Sequence, residues 1–231
     1  CLKCGRCQSV CRFSAVNRYI SQDDGSSNVY FLIDSVSCEG CGFCYHVCPA
    51  GALVMEENLS GEWFISDTRF GPMVHAKLGV ADENSGKLVS LVRSQAKLLA
   101  EQNHSDWILI DGSPGIGCPV IASLSGVDCA LVVTEPTLSG LHDALRVIEV
   151  AQHFGIVTKA VINKYDLNTD MADQIEAACR EKNTEVVGKV AFDKSVVRAM
   201  VEGKTIIEAA DSRVKKELIG IWENLKKRIL D

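Results

Sequence analysis

One cysteine spacing, repeated near the beginning of the chain, limits the possible folds more than any other feature. The spacing is C-x2-C-x2-C-x3-C, and its two copies hold eight of the 11 cysteines in the 231 residues. The first copy is Cys1, Cys4, Cys7 and Cys11, and the second, followed by Pro49, is Cys38, Cys41, Cys44 and Cys48. Three thiolates spaced so closely can bind three iron corners of one cubane, and the next turn carries the fourth thiolate away. The doubled run therefore predicts two [4Fe-4S] clusters.

The fourth cysteine of each run is expected to bind the cluster of the other run, as in bacterial ferredoxins. The first cluster is then assigned to Cys1, Cys4, Cys7 and Cys48, and the second to Cys38, Cys41, Cys44 and Cys11. Structural zinc fits less well, because zinc sites usually split into two C-x2-C pairs with a long spacer. A disulfide scaffold would need an oxidising compartment, which nothing else in the chain indicates. Arg12, where the second run has proline, makes the first run less standard but leaves its ligands in place.

A small ferredoxin-like α+β domain over residues 1–56 is predicted around the two runs. Residues 28–34 and 51–56 are apolar or β-branched and are predicted to be short strands. Residues 21–28 are polar and are predicted to be a turn. About 55 residues bury too little apolar surface to fold on packing alone, so the clusters are expected to supply much of the core.

Residues 57–231 change to alternating strands and helices, which predicts a second domain of the α/β class with a mostly parallel sheet. The predicted strands are residues 107–111, 129–135, 157–163 and 185–191. The predicted helices are residues 85–102, capped by Asn84 and Ser85, and residues 138–153, 169–182 and 212–230. We expect the last helix to pack on the core through Val214, Leu218, Ile221, Trp222, Leu225 and Ile229.

Ligands of a parallel sheet bind beyond the carboxyl ends of its strands. The first predicted strand leads into Asp111-Gly112-Ser113-Pro114-Gly115, where a carboxylate suits a hydrated Mg²⁺ and backbone N–H groups suit phosphate. The third leads into Asn163-Lys164-Tyr165-Asp166, where an amide and a carboxylate are placed to hydrogen-bond a base. Either segment alone is equally well explained as an ordinary turn with a helix cap. Together they indicate a nucleotide.

With these motifs the chain resembles the MinD-type P-loop ATPases that carry an inserted two-cluster ferredoxin domain, relatives of the nitrogenase iron protein and the Mrp-type iron–sulfur carriers. Besides the cysteine runs, the resemblance rests on residues 84–89 (NSGKLV), 111–119 (DGSPGIGCP), 134–137 (TEPT), 163–166 (NKYD) and 192–193 (FD). It implies a P-loop-NTPase-like sheet that binds ATP and Mg²⁺.

The resemblance also implies roles for individual residues. Asp111 would be the Walker B or switch II acid, Gly115 the backbone that senses the γ-phosphate, and Asn163 the residue that reads the base. The neighbours Gly112, Ser113, Pro114, Lys164 and Asp166 would line the nucleotide. GTP is a minor alternative to ATP, because Asp166 would suit the N–H donors of guanine.

The chain departs from this family because its 231 residues contain no Walker A loop. Lys87 and the segment Gly203-Lys204-Thr205 both lack the glycine spacing of that motif. No nest of N–H groups or lysine then holds the β- and γ-phosphates, so we expect weak ATP binding and no hydrolysis by these residues. The family's first strand is absent as well, and we expect the sequence to be incomplete.

Composition excludes other classes of function. The formal net charge of −6 argues against nucleic acid as the main partner. No apolar run approaches the roughly 18 residues of a membrane span, and no signal peptide opens the chain, so a cytoplasmic protein is expected. Isolated Cys129 and Cys179 are expected to be buried thiols, whereas Cys118 follows Asp111 closely enough for N–H groups to lower its pKa. His46 is expected to be a partly exposed loop residue.

Two functions remain. In the first, the intact protein is an ATPase in which the nucleotide state controls electron transfer or metal-cluster handling through the two clusters. Its partners would be a redox or metallocofactor protein and either a second copy or a paralogous ATPase. In the second, the ATPase half is a degenerate scaffold, and the chain is a ferredoxin-like electron carrier.

Overall fold

The computed structural model of the protein describes residues 1–23, 26–56, 61–79, 86–209 and 212–230. The chain divides into two compact units, Cys1–Asn84 and Ser85–Asp231. The domain boundary that we expect after residue 56 lies inside the first unit and stays a prediction.

The first unit contains two short helices and two antiparallel hairpins. The helices are α1 (Arg6–Ser9) and α2 (Phe43–Val47), one in each cysteine run. The first hairpin pairs β1 (Val16–Asp23) with β2 (Ser26–Ile33), and the second pairs β3 (Gly61–Thr68) with β4 (Gly71–Leu78). Helix α1 packs against both α2 and β1.

Two secondary-structure predictions for this unit are wrong. Residues 21–23 and 26–28, predicted as a turn, continue β1 and β2, because polar side chains are well tolerated on a solvated two-stranded hairpin. Residues 51–56 form no strand, since β2 pairs with β1 and no described segment pairs with residues 51–56. The prediction for residues 28–34 agrees with β2, and the second hairpin was not predicted.

The first unit has almost no apolar core. Among its described residues, the only buried apolar side chains are those of Ala15 and Val16, which are 1% and 4% exposed. Large apolar side chains on both hairpins, such as Leu32 and Trp63, are at least 40% exposed. An isolated two-stranded hairpin is marginal in water, so side-chain packing alone does not account for the stability of this unit.

The second unit is built on a parallel three-stranded sheet, in agreement with the predicted α/β class. Its strands are β5 (Cys129–Thr134), β6 (Val157–Asn163) and β7 (Glu185–Val190), in the order β5-β6-β7. The sequence also predicts the helices between them, α5 (Leu138–His153) and α6 (Thr169–Glu181), to within one residue. The remaining helices are α3 (Gly86–Gln102), α4 (Cys118–Leu124), α7 (Lys194–Val201) and α8 (Arg213–Leu230).

The alternation of β6 separates two packed layers. Ala160 and Ile162 point to one face, where Ile148 of α5 and Ile175 of α6 cover them. Val161 points to the other face and packs with α8. The α8 residues buried there are Val214, Ile221 and Leu225, as predicted. The predicted cap residues Asn84 and Ser85 and the side chain of Ile229 lie outside the described part.

Residues 107–111 are not a strand, which contradicts the sequence prediction. A strand exists only through pairing, and in the described chain the single neighbour of β5 is β6. The apolar side chains of this segment are therefore not covered by a sheet. Leu109 is 94% exposed, and the Trp107 ring packs edge-on against Trp222 of α8, with ring centroids 5.3 Å apart. Trp222 is itself 40% exposed, so it lies at the margin of the core and not within it.

We predict opposite effects for alanine at two glycines of the second unit. A Cβ at Gly188 in β7 would lie 2.3 Å from Cγ1 of buried Ile221, whereas one at Gly220 in α8 meets nothing within 4 Å. Gly188→Ala should lower the free energy of unfolding by about 1–3 kcal/mol through overpacking. Gly220→Ala should raise it by about 0.5–1 kcal/mol through helix propensity. Urea unfolding measures both, and equal effects would show that α8 does not pack on β7 as described.

Candidate functional site

The two cysteine runs adopt the same local backbone. Gly5 and Gly42, each following the second cysteine of its run, have φ/ψ of 74°/0° and 72°/−1°. This left-handed conformation is accessible to glycine at little cost, because glycine has no Cβ. Each glycine begins a short helix, α1 or α2. The repeated sequence therefore gives a repeated structure around each set of thiols.

All eight thiols of the runs are free, and each is exposed or half-buried. Two of them already accept hydrogen bonds from the backbone. The N–H of Lys3 donates to Sγ of Cys1, and the N–H of Ala52 donates to Sγ of Cys48, both at 3.4 Å. Cys1 and Cys48 come from different runs but are assigned to the same cluster. Hydrogen bonds of this kind stabilise thiolate ligands and tune the potential of the cluster they hold.

The fourth cysteine of each run differs chemically from the isolated cysteines. The N–H groups of Ala52 and Ala50 lower the pKa of the Cys48 thiol. At Cys11, partial burial by itself would raise the pKa of the thiol. Backbone N–H groups, of which that of Ala15 contributes most, outweigh this and lower the pKa. Burial instead raises the thiol pKa of Cys129 and Cys179. Cys11 and Cys48 thus favour the thiolate form that binds metal, whereas Cys129 and Cys179 do not.

The donor set fits two iron–sulfur clusters. The eight free thiols would provide four ligands for each of two clusters, and two of these thiols accept backbone N–H groups. Across the ranges that the structure describes, no three His, Cys, Asp or Glu side chains are grouped as ligands of a single metal ion. A cubane cluster does not require three side chains around one metal ion, because its four thiolate ligands bind four separate iron atoms at its corners. His46 is exposed next to the Tyr45 ring, but it belongs to helix α2, so the prediction that it is a loop residue is wrong.

Polar contacts in the second unit join the carboxyl ends of the three strands. Nζ of Lys164 lies 2.6 Å from Oε1 of Glu135, which connects the end of β6 to the end of β5. The N–H of Phe192, beyond β7, donates to Oδ1 of Asp166 at 2.7 Å. Asn163 is half-buried at the end of β6, between these contacts. The structure thus brings the predicted residues Asn163, Lys164 and Asp166 together at one edge of the sheet.

Other residues of this edge were not predicted. Glu135 appeared only as part of the TEPT segment, although its position after a strand is a usable signal. Arg213 of α8 donates to the hydroxyl of Tyr165 and lies 2.8 Å from Oε1 of Glu217. Glu217 in turn accepts the N–H of Ala191 at 2.9 Å. The contacts of Arg213 with Tyr165 and of Glu217 with Ala191 span more than 20 residues of sequence, so no local pattern reveals them.

The Asp111 segment is described separately from this edge. Asp111 is exposed, and Gly115 has a left-handed φ of 87° in the turn before α4. The first residue of α4, Cys118, is exposed and lies against Gly86 at the start of α3, where an added Cβ would be 3.2 Å from the Cys118 carbonyl oxygen. None of the described hydrogen bonds or ion pairs joins Asp111 to Asn163. The roles proposed for Asp111, Gly112, Ser113, Pro114 and Gly115 therefore stay predictions.

Comparison with known proteins gives each unit a relative. The family described as the 4Fe-4S dicluster domain matches residues 1–52. An uncharacterized protein of Methanocaldococcus jannaschii is 29% identical over 229 residues, which is 99% of this chain and 73% of that protein. The septum site-determining protein MinD of Bacillus subtilis is 27% identical over 174 residues, covering 72% of this chain and 62% of MinD.

A solved structure supports the same likeness. The cell division ATPase MinD of Pyrococcus furiosus superposes with a TM-score of 0.52 and 24% identity, over 62% of this chain and 59% of the ATPase. At that identity the likeness shows the fold alone. The chain thus spans less than two thirds of either MinD protein. Both expectations about fold are confirmed: an iron–sulfur domain of the two-cluster type and a P-loop-NTPase-like α/β unit.

We predict that removal of one fourth cysteine halves the iron content. The anaerobically reconstituted chain should hold about eight iron atoms, and Cys48→Ala should hold about four, because the first cluster loses a ligand. Cys118→Ala is the matched control, since it removes an exposed thiol outside the runs, and it should keep the full content. Iron and acid-labile sulfide analysis makes the measurement. Full iron in Cys48→Ala, or zinc in the unaltered chain, would contradict the ligand assignment.

Proposed function

The chain combines a 4Fe-4S dicluster domain with the MinD-type P-loop ATPase fold, and we propose that it works in an iron–sulfur ATPase. In this function ATP binding and hydrolysis control electron transfer or metal-cluster handling through two [4Fe-4S] clusters. Two features of one chain carry the proposal. One is the set of eight free thiols in two runs with the same local backbone, and the other is a parallel sheet with polar groups at the carboxyl ends of its strands.

The clusters would supply low-potential one-electron chemistry when bound. The chain's own contribution is to hold them: Cys1, Cys4, Cys7 and Cys48 would bind one, and Cys38, Cys41, Cys44 and Cys11 the other. Backbone N–H groups at Cys1 and Cys48 would stabilise added electron density on the sulfurs of the first cluster.

The carboxyl edge of the sheet would take the nucleotide base. Asn163 offers an amide that can both donate to and accept from an adenine edge. Asp166 is less suited to guanine than its sequence position suggests, because one of its oxygens already accepts the Phe192 N–H, which occupies part of the carboxylate that a bidentate contact would use. Lys164 is paired with Glu135, so it helps to fix the loop that carries Asn163. The geometry therefore favours adenine over guanine.

Hydrolysis needs a phosphate-binding loop as well as a base site. The 231 residues contain no Walker A motif, so this loop would have to come from sequence outside them or from a second subunit. Asp111, at the head of a glycine-rich turn, would then hold the water shell of Mg²⁺. A second copy or a paralogous ATPase and a redox or metallocofactor protein are the proposed partners. No described helix is long and apolar enough to span a membrane.

We predict weak but base-specific nucleotide binding by the chain. MgADP should bind with a dissociation constant on the order of millimolar, since the base site alone contributes. MgGDP should bind more weakly than MgADP. Asn163→Ala should abolish the preference for adenine, whereas the control Asn103→Ala, at an exposed position after α3, should keep it. Ligand-observed NMR with each nucleotide measures these differences.

The same experiment separates the two functions. Absence of adenine-nucleotide binding in a chain that holds both clusters would contradict the base site and favour the ferredoxin-like carrier. ATP turnover by the 231 residues, lost in Asp111→Asn, would contradict the requirement for a Walker A loop.

A further inference from the structure

Charge is distributed unevenly along the first unit. Residues 1–18 contain four basic side chains and no acidic one, whereas residues 19–68 contain eight acidic side chains and neither lysine nor arginine. The basic residues are Lys3, Arg6, Arg12 and Arg18, and all four are exposed. Within the first 68 residues, the basic side chains are therefore confined to the segment that contains the first cysteine run. We call these four residues the basic surface.

Arg6 and Arg18 lie next to the two residues that form one packing contact of the first unit. The loop before α1 rests on Phe31 of β2, because a Cβ added at Gly5 would lie 3.6 Å from its Cζ atom. Arg18 is the cross-strand partner of Phe31, and directly opposed residues of a hairpin share a face. Arg6 follows Gly5 directly in sequence. Arg6 and Arg18 are thus neighbours, the first in sequence and the second across the hairpin, of the two residues that form this contact.

The other two cations border cluster ligands. Lys3 stands between Cys1 and Cys4, and its Nζ donates to Oδ1 of Asn28 at 2.9 Å. Arg12 follows Cys11, with its guanidinium carbon 5.6 Å from the centroid of the Phe13 ring. No ion pair between described residues uses any of the four cations. Their charges are therefore available to a molecule that approaches the first run.

We propose that the basic surface docks an acidic redox protein, which exchanges electrons with the first cluster. The proposal rests on the proposed function only for the presence of that cluster. The step is a one-electron transfer: the cluster loses the electron that a flavin or iron–sulfur centre of the partner gains. No bond is made or broken, and no proton needs to move.

A compact acidic patch fits this surface better than an extended polyanion. Eight carboxylates follow within the next 50 residues, and they would repel a nucleic acid that runs past the first unit. Electron-transfer encounters use small interfaces, and opposite charges steer them. The four cations meet both requirements, because three of them adjoin or lie between cysteines of the first run, so the charges that attract the partner also set it next to the centre that reacts.

The same charges should make the first cluster the more easily reduced of the two. Reduction adds negative charge, which Lys3 and Arg6 stabilise, whereas Glu39 lies between two ligands of the second cluster. An electron would then rest on the cluster next to the docking surface. A redox titration followed by electron paramagnetic resonance should show a lower potential for the first cluster when the basic surface is neutralised.

The docking test uses oxidised flavodoxin, an acidic flavoprotein, as the probe and cytochrome c, a basic haem protein, for comparison. The reduced holoprotein is mixed with each probe in a stopped-flow experiment at low and high ionic strength. One variant neutralises the basic surface: Lys3→Gln, Arg6→Gln, Arg12→Gln and Arg18→Gln. The control removes the same charge from exposed positions of the second unit: Lys97→Gln, Lys194→Gln, Arg198→Gln and Lys204→Gln.

We expect the rate constant with flavodoxin at low salt to fall at least about tenfold in the basic-surface variant and to lose its salt dependence. The control should stay within about twofold of the unaltered chain. The rate with cytochrome c should not fall in either variant. Should the quadruple variant lose iron, the pair Arg12→Gln and Arg18→Gln, outside the ligand spacers, should still lower the flavodoxin rate severalfold.

Equal flavodoxin rates in the two variants, at full iron content, would overturn the docking proposal and leave the proposed function intact. The docking proposal would also be overturned if the basic-surface variant lost affinity for a single-stranded oligonucleotide, measured by fluorescence anisotropy, while its rate with flavodoxin did not change. Absence of clusters from the unaltered chain would instead overturn the proposed function itself.

Discussion

The first unit depends on its thiols because it has little else to hold it together. Only Ala15 and Val16 are buried apolar residues in its described part, and its hairpins expose large side chains on both faces. Small domains without a sufficient core are commonly stabilised by metal, for which the binding free energy is also folding free energy. The N–H groups around Cys1, Cys11 and Cys48 show that the backbone is already arranged to favour thiolate ligands. With the proposed ligand assignment, iron binding, folding and function would depend on the same eight side chains.

The second unit is stabilised in the usual way, by burial on both faces of a parallel sheet. Helices α5 and α6 cover one face, and α8 covers the other over β6 and β7. The polar contacts at the carboxyl edge, Lys164 with Glu135 and Asp166 with Phe192, connect loops that follow different strands. Such contacts add little to stability when they are exposed. Their effect is to fix the position of Asn163, on which the proposed base site depends.

Much of this architecture could be predicted from sequence, for physical reasons that differ between regions. Helices α5 and α6 and strands β5 to β7 have strong periodicity and clear caps, so their bounds were predicted closely. Residues 107–111 have an equally good strand pattern, but a strand also needs a neighbour, and pairing is not a local property. The turn prediction for residues 21–28 was wrong for the opposite reason. Their polar composition suits a turn, but the hairpin needs no buried face there and continues through residues 21–23 and 26–28.

The candidate sites also differ in whether a local sequence pattern or a long-range contact defines them. The candidate cysteine ligands were predictable because their spacing is itself the signal, and their assignment to the two clusters stays a prediction. Contacts such as Arg213 with Tyr165 were not, because they join distant parts of the chain. The charge asymmetry of the first unit is visible in the sequence, but its meaning depends on the packing of Gly5, the neighbour of Arg6, on Phe31, the cross-strand partner of Arg18.

Amide hydrogen exchange on the protein with and without iron tests the central claim most directly. After anaerobic removal of iron with a chelator, we expect the amides of β1 and β2 to lose their protection, because no apolar core remains to hold the hairpin. The amides of β6 should keep theirs, since that strand is buried by side-chain packing. Unchanged protection of the first hairpin in the iron-free protein would contradict the claim that the thiol-bound clusters hold this unit together.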